Sequence, residues 1–145
     1  GDVYKSQPHD WLYGTGGAIG RVLPEATGAA VACPDSKILC LSGDGSAMYT
    51  LQSLWTQARE KLDVTTVIFA NRSYAILHGE LLNVGAVPGL NTRTMFDLEN
   101  PSLDWVQMAN GMGVEAAMAD TAETFHRALE KGLNSKGPFL IEARI

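Results

Sequence analysis

The chain has 145 residues, of which 46% are hydrophobic and 19% charged, with a formal net charge of −5. That is enough chain for one domain with a real core, and the negative balance argues against a nucleic-acid binder that works through phosphate contacts. No apolar run approaches the roughly 20 residues needed to span a bilayer, and Cys33 and Cys40 are too few for a disulfide scaffold or a four-ligand zinc site.

Taken in order, Gly1 to Pro8 is polar and aperiodic and reads as an arm or linker. His9–Tyr13 is expected to form a short strand. The glycines at 14, 16, 17 and 20 then mark a sharp turn or a close backbone approach. They match a dinucleotide fingerprint only loosely, because the third glycine of that pattern falls on Ile19. A helix is expected from about Ile19 to Ala32, with Pro24 in its first turn and Leu23, Ala26, Thr27, Ala30 and Val31 as a narrow face of small residues.

Lys37–Ser42 is an apolar run bounded by turn residues, as in a strand covered on both faces, and Cys40 inside it reads as a buried thiol. After Gly45, the positions Met48, Leu51, Leu54 or Trp55, Ala58 and Leu62 follow a helical period, with Trp55 read as core. Val64–Ala70 is rich in β-branched residues and reads as a second buried strand. A helix is expected over Tyr74–Leu82, then a long loop over Asn83–Pro101. Ser102 is placed as the cap of a helix reaching Gly111, with Leu103, Val106 and Ala109 inward. Val114–Met118 is a strand. A capping box of Asp120 and Glu123 starts the helix 121–134, with Phe125, Leu129 and Leu133 inward. Phe139–Ile145 is the last strand. Strand and helix alternate, so the expected class is α/β with a doubly wound, mainly parallel sheet flanked by helices.

In such sheets ligands sit at the carboxyl ends of the strands. Gly43-Asp44-Gly45-Ser46 ends one predicted strand and Asn71 ends the next. A carboxylate and a neutral amide oxygen at neighbouring strand ends form a hard donor set of the kind magnesium takes, with phosphate oxygens and water completing it. Amides that open a helix at Gly45, Ser46 and Ala47 can face a phosphate. On the short motif alone, an ordinary turn capped by Asp44 explains the residues equally well.

Two motifs in one chain are more specific. Gly43-Asp44-Gly45-Ser46 followed by Asn71, and the stretch Gly16-Gly17-Ala18-Ile19-Gly20-Arg21-Val22-Leu23-Pro24, resemble the magnesium and diphosphate motif and the glycine-rich turn of thiamine-diphosphate-dependent enzymes. The branch with acetolactate synthase and benzoylformate decarboxylase is the most similar. The likeness runs from about His9 to the last strand and includes Gly111-Met112-Gly113 and Gly137-Pro138-Phe139-Leu140-Ile141-Glu142.

The resemblance implies the thiamine-diphosphate-binding fold over 9–145 and roles position by position. Asp44 and Asn71 would ligate Mg²⁺ by side chain and Ser73 by its carbonyl. Gly45, Ser46, Ala47, Tyr74 and Ala75 would contact the diphosphate of thiamine diphosphate, with Gly16, Gly43 and Ile76 beside the cofactor. Gly17 would offer its carbonyl to the aminopyrimidine, and Ile19 would be the apolar residue that bends the cofactor, unless it is plain core. Leu77 and His78 would face the substrate, although His78 reads equally well as an exposed helix residue.

The same resemblance implies a 2-oxo acid as substrate, decarboxylated or joined to a second carbonyl compound, in a homo-oligomer. With no signal peptide and no spanning run visible, a cytoplasmic protein without membrane or nucleic-acid partner is the default expectation. In this family the activating glutamate sits on a pyrimidine-binding domain, to which nothing here corresponds, so no catalytic residue is assigned to this chain. The family's first strand, before His9, is also expected to be missing. Val22 and Glu25 depart from the usual pattern beside the turn. The alternatives are a non-catalytic assembly module of the same fold, and a nucleotide or flavin binder on it.

Overall fold

The computed structural model describes residues 8–14 and 16–145. Most of the expected arm and Thr15 therefore lie outside the described residues. The elements in order are α1 (Val22–Ala32), β1 (Ile38–Gly43), α2 (Asp44–Ala47), α3 (Ser53–Arg59), β2 (Val64–Ala70), α4 (Ala75–Asn83), α5 (Leu90–Phe96), α6 (Trp105–Gly111), β3 (Glu115–Ala119), α7 (Ala122–Asn134) and β4 (Phe139–Arg144). No helix among the described residues is long and apolar enough to cross a membrane.

The four strands form one parallel sheet in the order β1-β2-β4-β3. Right-handed crossovers dictate where the helices lie. The chain moves one way across the sheet from β1 to β2 to β3, then steps back to insert β4. Of the forward steps, α3 and α6 therefore cover one face, where α1 joins them, and α7 covers the other. On the first face Leu23, Ala26 and Ala30 of α1, Leu54 of α3, and Trp105 and Ala109 of α6 pack on Cys40, Val64, Ile68 and Leu140. On the second, Ala128 with Phe125 and Leu129 packs on Val67, Phe139, Ile141 and Ala143. The strand β2 sits inside both layers, and Val64 to Ile68 are all buried. Each such apolar side chain contributes about 1.5–3 kcal/mol by leaving water. Burial also pushes the Cys40 thiol up to about 12, with the Thr66 hydroxyl opposing the shift.

The sheet and its class are as expected, and the differences have local causes. His9–Tyr13 forms no strand and is exposed throughout, and only Gly14 after it is half-buried. The first helix begins at Val22, because Gly20 holds a left-handed φ of 81° just before it. Val22 packs against the core, Val31 faces out, and Glu25 pairs with Arg21 one turn earlier. The single helix expected after Gly45 is two helices joined by tight turns over 48–52. Met48 and Leu51 still reach the core from those turns. Leu54 takes the inward position, so Trp55 is exposed and carries Arg59 4.8 Å from its ring centroid.

The loop expected over 83–101 contains α5. The cap of α6 is Asp104, which accepts from the Gln107 amide, and not Ser102, whose hydroxyl turns back to Glu99. The box at the start of α7 is Thr121 with Thr124 in place of Asp120 with Glu123, since the Thr124 hydroxyl reaches back to the Thr121 amide at 3.0 Å. Gly132, and not Leu133, meets the sheet: a Cβ there would lie 2.7 Å from Thr65 Cγ2.

Candidate functional site

The expected ligand residues converge at the carboxyl ends of β1 and β2. These strands pair in parallel with Gly43 opposite Phe69, so Asp44 and Asn71 leave adjacent strand ends on the same edge. Asp44 is only 3% exposed. Its Oδ1 accepts the Gly45 amide at 2.8 Å and its Oδ2 accepts the Arg72 amide at 2.7 Å. A carboxylate has about four lone-pair positions, so about two remain for another partner. Asn71 is exposed, and its Oδ1 accepts the Ser73 amide at 3.0 Å, which leaves one lone pair on that carbonyl. Among the described residues no three His, Cys, Asp or Glu side chains gather to hold a metal. A cation here would therefore rest on one carboxylate with neutral oxygens. That set suits magnesium, which keeps several water or phosphate ligands.

The turn at Gly45 is tight for a visible reason. A Cβ on Gly45 would stand 2.6 Å from the Tyr74 ring and 3.6 Å from a Leu98 methyl. Gly43 is exposed at the strand end, whereas Gly45 and Ala47 are buried. Ser46 reaches the glycine-rich stretch, for its hydroxyl accepts the Gly20 amide at 3.1 Å. The Thr50 hydroxyl donates to the Gly20 carbonyl. A Cβ on Gly20 would lie 2.5 Å from Tyr49 Cβ, so glycine is required by space as well as by φ. Gly16 and Gly17, both at positive φ, form the exposed turn that leads to this contact. Ile19 is 63% exposed, which excludes its reading as a core residue within this chain.

On the other side, Tyr74 is the half-buried residue before α4, and Ala75, Ile76 and Leu77 are exposed on the first turn of that helix. His78 is half-buried, with its ring edge-on to Phe96 at 4.9 Å. Ser73 is half-buried and its hydroxyl donates to the Phe96 carbonyl at 3.2 Å. Residues missed by sequence reasoning are Arg72, Gly20 as a contact to Ser46, and Leu98. Arg72 has a left-handed φ of 56°, which no local pattern announces. Two grooves lie elsewhere: one of about 500 Å³ near Lys61, Asp63 and Pro138, and a smaller one between Phe69 and Phe125.

The family model described as thiamine pyrophosphate enzyme, C-terminal TPP binding domain, matches residues 2–143. The chain belongs to this family. It is 53% identical over 136 residues to "Putative acetolactate synthase large subunit IlvX" of Mycobacterium tuberculosis, covering 92% of this chain and 26% of that protein. It is 34% identical to a benzoylformate decarboxylase of Pseudomonas aeruginosa, covering 97% of this chain and 25% of the relative. Among solved structures, a thiamine diphosphate-dependent 4-hydroxybenzoylformate decarboxylase of Rhodococcus jostii RHA1 superposes with a TM-score of 0.75 at 39% identity, over 87% of this chain and 23% of that one. The thiamine diphosphate-binding domain thus spans about a quarter of the length of these relatives. The fold and the cofactor class expected from the two motifs agree with these likenesses.

Proposed function

We propose that this chain is the Mg²⁺ and thiamine diphosphate anchor of a 2-oxo acid decarboxylase or carboligase. The observation that carries the reading is Asp44, a nearly buried carboxylate with free lone pairs at a strand end, facing the end of the neighbouring strand that carries Asn71. Asp44, the Asn71 side chain and the Ser73 carbonyl would hold the cation. The backbone around Gly43, Gly45, Ser46, Ala47, Tyr74, Ala75 and Ile76 would hold the diphosphate. Gly16, Gly17 and Ile19 would meet the pyrimidine end, and Leu77 and His78 the substrate side.

When bound, the cofactor supplies the carbon nucleophile that adds to a 2-oxo acid carbonyl. This chain's own residues do different work. They place charge: the two amide bonds to Asp44 fix the carboxylate's orientation toward a cation that would neutralise phosphate charge. They also leave the acid–base step to a residue outside 9–145.

A pyrimidine-binding domain or subunit is the proposed partner. Ile76, Leu82, Val84, Val87, Leu90 and Met95 are all more than two-thirds exposed over α4, α5 and the link between them, and exposed apolar side chains in such number support a partner there. A homo-oligomer and a domain beginning near residue 9 belong to the same reading. The test is turnover of pyruvate and benzoylformate with Mg²⁺ and thiamine diphosphate. The isolated chain should be inactive and should gain activity on adding a pyrimidine-binding domain. Turnover by the pure chain contradicts the division of the site. Cofactor binding without activity in any such pairing favours the non-catalytic assembly module.

A further inference from the structure

The loop that carries two of the proposed cation ligands is held from outside by one short segment. Arg72 is a side-chain-bearing residue in the left-handed region, a conformation that persists only where surrounding structure imposes it. Among the described residues, the long-range hydrogen bonds of Arg72, Ser73 and Tyr74 run to Asp44 or to 96–99. The Tyr74 amide donates to the Phe96 carbonyl at 2.9 Å, and the Leu98 amide donates to the Arg72 carbonyl at 2.9 Å. Ser73 and Asp97 are thereby paired as an antiparallel bridge. The Arg72 guanidinium reaches Glu99 at 3.2 Å, but both side chains are substantially exposed, and such a pair contributes little. The bond that matters is in the backbone. The carbonyl of Arg72 accepts from Leu98, and the amide of the same residue donates to Asp44 Oδ2 at 2.7 Å. A methyl of Leu98 also lies against the Gly45 turn, just beyond Asp44.

We propose that Leu98 is a positioning residue for the cation site: its backbone amide holds Arg72 in the left-handed conformation that aims the Arg72 amide at Asp44. This rests on the reading of Asp44 as a cation ligand. Outer partners that orient a ligand change metal affinity by about 10–100-fold when lost.

The experiment is a Mg²⁺ titration of the intact protein at fixed thiamine diphosphate, followed by calorimetry, for wild type, Asp44→Ala, Leu98→Pro and Leu98→Ala. Proline removes the donor, and Asp97 already has the extended conformation (φ −86°, ψ 135°) that a residue before proline adopts. Leu98→Pro should raise the half-saturating Mg²⁺ concentration about tenfold with the cofactor-free melting midpoint little changed. Leu98→Ala, which keeps the amide, should stay near wild type. A wild-type Mg²⁺ dependence in Leu98→Pro overturns the proposal, as does an equal loss in Leu98→Ala. A wild type that titrates like Asp44→Ala defeats the cation reading itself, which is a separate result.

Should Leu98→Pro not fold, amide exchange in wild type decides the matter. The Arg72, Tyr74 and Leu98 amides should open together and gain protection together on adding Mg²⁺ and cofactor. Independent opening of Leu98 overturns the proposal.

Discussion

The backbone amide of Arg72 donates to Oδ2 of Asp44 at 2.7 Å, joining the end of the second strand to the turn after the first. Adjacent parallel strands bring the two ends together, but this bond fixes how they face. It also explains why Asp44 can be 3% exposed without a charged hydrogen-bond partner among the described residues, since both carboxylate oxygens accept amides.

The close approach at Gly45 gives a packing prediction. Gly45→Ala places a Cβ 2.6 Å from the Tyr74 ring, so the ring must move. The expected cost is about 1–3 kcal/mol, as for other overpacked sites. Tyr74→Ala should remove most of that penalty in the double variant, read as non-additivity in thermal or urea unfolding. Fully additive losses would show that the ring is not the obstacle.

Gly132 tests the opposite edge of the sheet. Alanine in the interior of α7 gains about 1 kcal/mol of helix propensity over glycine. Its Cβ would stand 2.7 Å from Thr65 Cγ2 and 2.9 Å from Phe139 Cδ1, both on buried strand residues that cannot swing away. Overpacking at about 1–3 kcal/mol wins, so Gly132→Ala should lower the urea midpoint. A raised midpoint would contradict this packing.

The two cysteines should differ sharply toward a thiol reagent. Cys33 is exposed, whereas Cys40 is buried with its thiol pushed up to about 12. At pH 8 the native protein should release one equivalent of chromophore quickly and the second only on unfolding. Two fast equivalents would place Cys40 outside the core.

Asp104 provides a pH signature. The Gln107 amide, at 2.8 Å, and the Gln107 side chain hold its carboxyl below the ordinary carboxylate range. A depressed folded-state pKa adds stability that is present above the unfolded-state pKa and lost as pH falls through the folded one. Asp104→Ala should therefore melt below wild type at pH 7, and the gap should close toward pH 2. A pH-independent gap would mean that the charge plays no part in the cap.

How far the sequence disclosed these features varies with the range of the forces involved. Val64–Ala70 is read from the sequence residue for residue, because a continuous β-branched run between two turns admits one interpretation. The placement of Asp44 and Asn71 at adjacent strand ends follows from strand–helix–strand order. Leu54 and Trp55 fit the apolar period equally well, and only the packing, which buries Leu54 fully and leaves Trp55 exposed against Arg59, decides between them. The caps of α6 and α7 each moved to a neighbouring polar residue, since Ser, Thr and Asp compete on similar terms there. Arg72 and Leu98 were invisible for a deeper reason. Their roles come from backbone amides and carbonyls, which every residue carries, and from a pairing between distant segments. The glycine turn at 16–20 is legible as a turn, but its docking on Ser46 is not.

In the proposed function Asp44 anchors a cation that in turn holds thiamine diphosphate. The most direct measurement is calorimetric titration of the cofactor into wild type and Asp44→Ala, each with Mg²⁺ and with a chelator, with melting curves to confirm that both are folded. Saturable binding is expected for wild type only when Mg²⁺ is present, and none for folded Asp44→Ala under either condition. Equal binding by the two proteins, or wild-type binding that is indifferent to the chelator, would contradict it.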